Sequence, residues 1–237
     1  MLSRIDFVAL LAAVFVFIAG CGSFFFAAQP EPEAVQVQGA TGLKLPVPEE
    51  EPEEEPEEEY PDVYPGVIEE DTYTNESIGL SFTLPEGWSF ADEETIELMM
   101  GAGVELIAEN GGHLNTAGIS AIYDMIAFNA GTDSNVMVLI EALAPEPGTE
   151  LPTATDHLEA LQESLEEMDV FGFVFGRPFV AVVSGQDFDA LPVTVDINDT
   201  PTRQYYLVRI QGRQMVTIIA SLFEDIAIEE LLGFFTV

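Results

Sequence analysis

The sequence predicts an α+β domain: an antiparallel sheet with helices packed on its faces. Three observations predict it. Apolar runs alternate with polar residues at strand period, turn signals join several of them directly into hairpins, and the clearest helical pattern falls between groups of strands. Helices lying between hairpins, rather than after every strand, argue against a doubly wound parallel sheet. Ahead of this domain the chain reads as a signal helix and a disordered acidic Pro/Glu linker. The expected division is 1–20, 21–71 and 72–237.

Ile78, Leu80, Phe82 and Leu84 alternate with Gly79, Ser81 and Thr83, which is a half-buried strand. Pro85-Glu86-Gly87 stops it, and Trp88 follows. Asp92 can cap a short helix with Glu93 and Glu94 in its first turn and Ile96, Met99 and Met100 on its buried side. Ile119–Phe128 and Val136–Leu143 flank the turn-forming residues 131–135 and form a hairpin. Thr155–Met168 is a helix with Leu158, Leu161, Leu165 and Met168 on one stripe and Glu159, Glu163, Glu166 and Glu167 outside. Strands follow at Phe179–Val183, Leu191–Ile197, Tyr205–Ile210 and Met215–Phe223, with Gln211-Gly212 as a two-residue turn. Asp225 can start a final helix burying Ile226, Leu231, Leu232 and Phe235.

Tyr73-Thr74-Asn75-Glu76, Ile78-Gly79-Leu80-Ser81-Phe82 and Leu84-Pro85-Glu86-Gly87-Trp88 together resemble the opening of lipoprotein domains with the Mog1/PsbP-like α/β/α sandwich. In that family a first hairpin ends in a Pro-x-Gly-Trp turn, a helix follows, and an antiparallel meander leads to a closing helix. The stretch from Gln204 to Phe223 and the helix after it are similar to that ending. The resemblance spans about residues 72–237. Its motif is structural, and the acidity of this chain departs from the family, so no docking residue carries over.

At the N-terminus, Arg4 precedes an unbroken apolar run from Phe7 to Gly20, and Cys21 follows. A charged start, an apolar stretch and small residues before a cut are the secretory pattern. Ile18-Ala19-Gly20-Cys21 resembles the lipobox of bacterial lipoproteins. That resemblance implies cleavage between Gly20 and Cys21, a lipid covalently held by the Cys21 sulfur, fatty acylation (palmitate) of the new amine, and localisation on the extracytoplasmic face of the cell membrane. An uncleaved anchor is the second reading, because Phe7–Ala28 is free of charge and long enough to cross a bilayer. The only nearby cation, Arg4, favours a cytoplasmic N-terminus in both cases. Phe24, Phe25 and Phe26 would lie in the membrane interface and reinforce a lipid anchor. Residues 29–71 then carry three Glu-Glu-Glu blocks separated by Pro52 and Pro56, which forbids helix and extends the chain as a spacer.

The net charge is −37. Residues 72–237 alone hold 27 acidic side chains against Arg177, Arg203, Arg209 and Arg213. Nucleic acid is excluded as a partner, since phosphate binding requires Lys and Arg to displace counterions. Basic proteins or divalent cations remain compatible partners, an envelope or secreted protein being the expected one; the charge also serves solubility alone, or adaptation to salt. With Cys21 as the single cysteine there is no intramolecular disulfide, and the domain rests on its hydrophobic core.

No catalytic constellation stands out. There is no Gly-x-Ser-x-Gly, the one thiol is claimed by the lipid, and the only imidazoles are His113, in a glycine-rich loop, and His157, expected on a helix surface or at a cap. Asp196-Ile197-Asn198-Asp199-Thr200 and Asp187-Phe188-Asp189 carry oxygens at alternate positions and suit either calcium or ordinary turns. Asn75-Glu76-Ser77 and Asn198-Asp199-Thr200 fit the glycosylation triplet. The expected function is therefore a non-enzymatic, tethered binding or accessory module, with outward-facing apolar side chains such as Tyr205 as its contact patch. No resident cofactor or metal is expected. A weak calcium binder and a cell-envelope hydrolase are the alternatives.

Overall fold

A computed structural model describes residues 63–92, 95–96, 121–143, 150–167, 172–197, 200–223 and 226–236. In chain order the strands are β1 (Val67–Glu69), β2 (Thr72–Asn75), β3 (Leu80–Thr83), β4 (Trp88–Phe90), β5 (Ala121–Asn129) and β6 (Asn135–Ala142). Helix α1 (Ala154–Glu167) precedes β7 (Val174–Phe175), β8 (Phe179–Val183), β9 (Gln186–Ile197), β10 (Thr200–Gln211) and β11 (Gln214–Leu222). Helix α2 (Ile228–Leu232) and β12 (Phe235–Thr236) close the chain.

All strand pairings among the described residues are antiparallel. The large sheet runs β4-β5-β6-β11-β10-β9-β7, and β8 pairs with β9 beside β7. A small sheet runs β1-β2-β3-β12. The two faces of the large sheet are covered differently. On one, Leu158, Leu161 and Leu165 of α1 pack on Leu191, Val193, Tyr206, Val208 and Ile219. On the other, Tyr73, Leu80 and Phe82 of the small sheet and Ile228 and Leu231 of α2 pack on Val138, Leu207, Val216 and Ile218. This is a β-rich molecule with two helices among the described residues. The expected sandwich with helices on both faces is thereby corrected: one of those layers is mainly the small sheet. Its strands β2 and β3 bury alternate residues on a single face, so they need the large sheet beneath them, while β1 is exposed throughout. Strand β6 is buried at every position and β11 at all but its first, as the central strands must be.

Local chemistry sets the boundaries. Asp92 Oδ1 accepts the Thr95 N–H at 2.8 Å, the expected cap; Met99 and Met100 lie outside the described residues. Helix α1 opens on a reciprocal cap in which the Thr153 hydroxyl oxygen accepts the Asp156 N–H (3.1 Å) and Asp156 Oδ2 accepts the Thr153 N–H (2.8 Å). Met168 lies outside the described residues. The β8–β9 turn is Ser184-Gly185, both at positive φ (50° and 72°), the two-residue geometry that suits strand twist.

Several expectations shift. The β10–β11 turn is Gly212-Arg213, because Gln211 pairs with Gln214 and Gly212 takes the positive φ of 61° that the first turn position requires. Strand β9 begins at Gln186, so Asp187-Phe188-Asp189 lies inside a strand instead of a turn. The closing helix is only five residues, it begins at Ile228, and Phe235 belongs to β12, opposite Phe82 with ring centroids 4.7 Å apart. Asp225 lies outside the described residues. Strand β1 pairs with β2 upstream of the expected domain start at Thr72.

Candidate functional site

Gly20, Cys21, His113, Asn198 and Asp199 lie outside the described residues. No helix among the described residues is long and apolar enough to cross a membrane. His157 is not the surface or capping residue expected: it is 2% exposed, and burial pushes its imidazole down to about 4. Asp187 points to solvent, and Asp189, half-buried, accepts a hydrogen bond from the Thr155 hydroxyl at 3.0 Å. A calcium loop loses its basis there, because a strand holds alternate carboxylates apart instead of wrapping them around an ion. Among the described residues no three His, Cys, Asp or Glu gather as a metal set. Tyr205, expected to face outward, is half-buried and packs on the small-sheet side of the core.

Asn75 is committed to structure. It is 2% exposed; its Nδ2 donates to Asp124 Oδ2 at 2.7 Å and to the Tyr64 carbonyl at 2.9 Å, and its Oδ1 accepts from the Ser77 N–H and hydroxyl. Asp124 is the centre of this network. The β5–β6 register shifts between Tyr123 and Met125, and this bulge takes Asp124 out of the ladder and aims it at the small sheet. There its carboxylate also accepts the Tyr73 hydroxyl (2.5 Å) and the Gly66 N–H (2.6 Å). Burial first, then the Asp124 charge, raises the Tyr73 phenol far above its ordinary value, which keeps it protonated as a donor. The cluster is saturated by its own partners and clamps the point where the chain enters the domain. Sequence reading passed over Asp124; the signal was a lone carboxylate inside the apolar run Ile119–Phe128.

Two surface concavities stand out among the described residues. The larger, an open depression of about 1160 Å³, is lined among the described residues by the stretch from Tyr64 to Ser77, which carries β1 and β2. The smaller, about 220 Å³, lies between α1 and β8 and is lined by Leu158, Glu159, Gln162, Phe179, Val180 and Asp189 among others. It falls below the range of about 300–1,000 Å³ typical of small-molecule sites. Its β8 wall is the notable feature. Val180 is 60% exposed and Val182 62%, with Phe179 at 38% beside them and Val174 of β7 also in water. Ala181 and Val183 alternate with them into the core. Among the described residues β8 pairs only with β9, so this is an apolar, unpaired sheet edge. The run Phe-Val-Ala-Val-Val announced a strand, but not that its outer side lacks a neighbour.

No protein-family model matches the chain, and no curated protein matches it. Among solved structures it is similar to CyanoP, the cyanobacterial PsbP of Synechocystis sp. PCC 6803, at 18% identity over 70% of this chain and 91% of that one, with a TM-score of 0.44. It is also similar to LpqN of Mycobacterium tuberculosis, a protein involved in cell envelope biogenesis, at 12% identity over 66% of this chain and 82% of that one, with a TM-score of 0.33. A crystal structure from Bacteroides thetaiotaomicron VPI-5482 shares 10% identity over 72% of this chain and 49% of that one, with a TM-score of 0.34. At these scores the likenesses assign neither residues nor a function to this chain.

Proposed function

We propose that this chain is a membrane-tethered, extracytoplasmic lipoprotein whose domain is a non-enzymatic binding module for an envelope or secreted protein. The tether rests on the apolar run ending in Ile18-Ala19-Gly20-Cys21. The binding role rests on one observation, the row of exposed apolar side chains on the β8 edge. Large apolar side chains held in water on an unpaired edge are costly to keep unless a partner covers them. The other conspicuous polar features serve the fold: Asp124 and Asn75 tie strands together, and His157 is held neutral on the buried side of α1.

Two experiments test the reading. Full-length protein and Cys21→Ala are expressed in a bacterial host and compared by membrane fractionation and intact mass. Wild type is expected to begin at Cys21, carry a lipid-sized mass and stay with membranes, while the variant does not. Retention of Met1 with no effect of Cys21→Ala makes the segment a transmembrane anchor and overturns the lipoprotein. For the module, cross-linking in cells from positions 180 and 182 is expected to trap a protein that a probe at exposed Glu163 does not; equal yields overturn the binding role for this edge.

A further inference from the structure

We infer that β8 accepts an added β-strand from a partner, and that this partner segment is basic on the face that meets α1. The inference rests on the binding reading above and deepens it. The geometry comes from the register. Ser184-Gly185 is a two-residue turn, so Val183 and Gln186 form the hydrogen-bonded closing pair. Antiparallel ladders alternate, which makes Ala181↔Phe188 and Phe179↔Ala190 the next bonded pairs and leaves Val182↔Asp187 and Val180↔Asp189 non-bonded. The N–H and C=O of Val180 and Val182 therefore point away from β9, off the free edge. The two valines of β8 whose side chains stand in water are the same two whose outward backbone groups pair with nothing among the described residues. Gly176 donates its N–H to Pro192 O of β9 at 2.8 Å, so β7 and β8 lie along the same side of β9, and Pro178, which has no N–H to offer, ends the open stretch of β8.

Charge decides the occupant. Cross-strand partners share a face, so Asp187 and Asp189 lie beside Val182 and Val180 on the α1 side, and Glu159 stands across the groove. An added strand would place its own side chains directly against the valines, about 9.6 Å from the two aspartates, two strand spacings away. Lysine or arginine stems can lie over the valines and deliver their charge to those carboxylates. A second copy of β8 fits poorly: it would offer valines and no cation to Asp187 and Asp189, bring its own two aspartates to three strand spacings, about 14 Å, and join two domains that each carry 27 acidic side chains and four arginines. The structure thus favours a strand with Lys or Arg at alternate positions over self-pairing.

The test uses the full chain in detergent and three blocked nine-residue peptides: alternating Lys-Val, alternating Glu-Val, and alternating Lys-Gly. Expected is saturable binding of Lys-Val, at least tenfold tighter than either control, with slowed amide exchange at Val180 and Val182. Val180→Pro removes an outward N–H without breaking a β8–β9 bond and should weaken binding at least tenfold. Because that variant can disturb the edge, a Lys-Val peptide N-methylated on alternate residues is used against the unchanged protein and should also bind at least tenfold more weakly. Equal binding of Lys-Gly means charge attraction alone and overturns strand addition. Equal binding of Glu-Val overturns the basic requirement. A dimer that dissociates in Val180→Pro overturns the choice of occupant in favour of a second copy. Failure of the Lys-Val peptide alongside specific cross-links from positions 180 and 182 removes strand addition and leaves the binding module standing.

Discussion

The Tyr73 hydroxyl donates to Asp124 Oδ2 at 2.5 Å, joining the small sheet to a bulge in the large one. The same carboxylate holds Asn75 and the Gly66 N–H, so a single side chain fastens β2 and the entering chain to β5. Removing it leaves several donors without an acceptor. Asp124→Ala is expected to cost about 3 kcal/mol, the order of two or three orphaned donors. Urea unfolding of Asp124→Ala, Tyr73→Phe and the double variant would measure it. A coupling energy within about 0.5 kcal/mol of zero would show that the two side chains act independently.

Gly66 sits at the same joint. A Cβ there would run into the Tyr73 ring and lie 2.9 Å from the Thr74 carbonyl oxygen. Gly66→Ala should therefore destabilise by about 1–3 kcal/mol, the usual range for overpacking. It should also expose the Asp124 contacts, seen as faster amide exchange at residue 66 than in wild type. An unchanged melting temperature would mean that the entering chain gives way without cost.

Acid should weaken the fold through His157. Its folded value of about 4 lies below the ordinary 6.5, so between those limits the unfolded chain binds a proton that the native protein does not. Stability is then complete above pH 6.5 and falls toward pH 4, by about 3 kcal/mol in total. His157→Leu should flatten this slope in urea titrations at stepped pH. The same slope in the variant would assign acid sensitivity to other groups.

Alkali should act through three tyrosines. Burial raises the phenols of Tyr73, Tyr123 and Tyr206, with Asp124 adding to the rise at Tyr73. Above pH 10 the unfolded chain sheds protons that the native protein retains, so each contributes a loss of about 1.4 kcal/mol per pH unit. Their phenolate absorbance is expected to appear in one step with the loss of ellipticity. Absorbance from these residues growing while ellipticity holds would sink the assignment.

The part of the fold visible in the sequence is its local part. Strands β5, β6, β8 and β11 and helix α1 follow from runs whose period and turn residues belong to the segment itself. Leu158, Leu161 and Leu165 are buried as their spacing requires. Asp124 was not visible because its role depends on a bulge and on partners 49 and 51 residues away in sequence. Tyr205 was misjudged for a related reason: period alone does not say that a second sheet and α2 cover that face.

The sequence by itself determined strands β5, β6, β8 and β11 and helix α1, the acid excess, and the single cysteine after an apolar run. These depend on composition and on neighbours within a few residues. Only the tertiary structure decided that a small sheet replaces one helical layer, that Asp187 and Asp189 stand in a strand, that His157 is sealed in the interior, and that β8 ends a sheet with Val180 and Val182 in water. Each of these turns on which segment lies beside which. That is set by long-range pairing and burial, and a local pattern fits more than one such arrangement at similar cost.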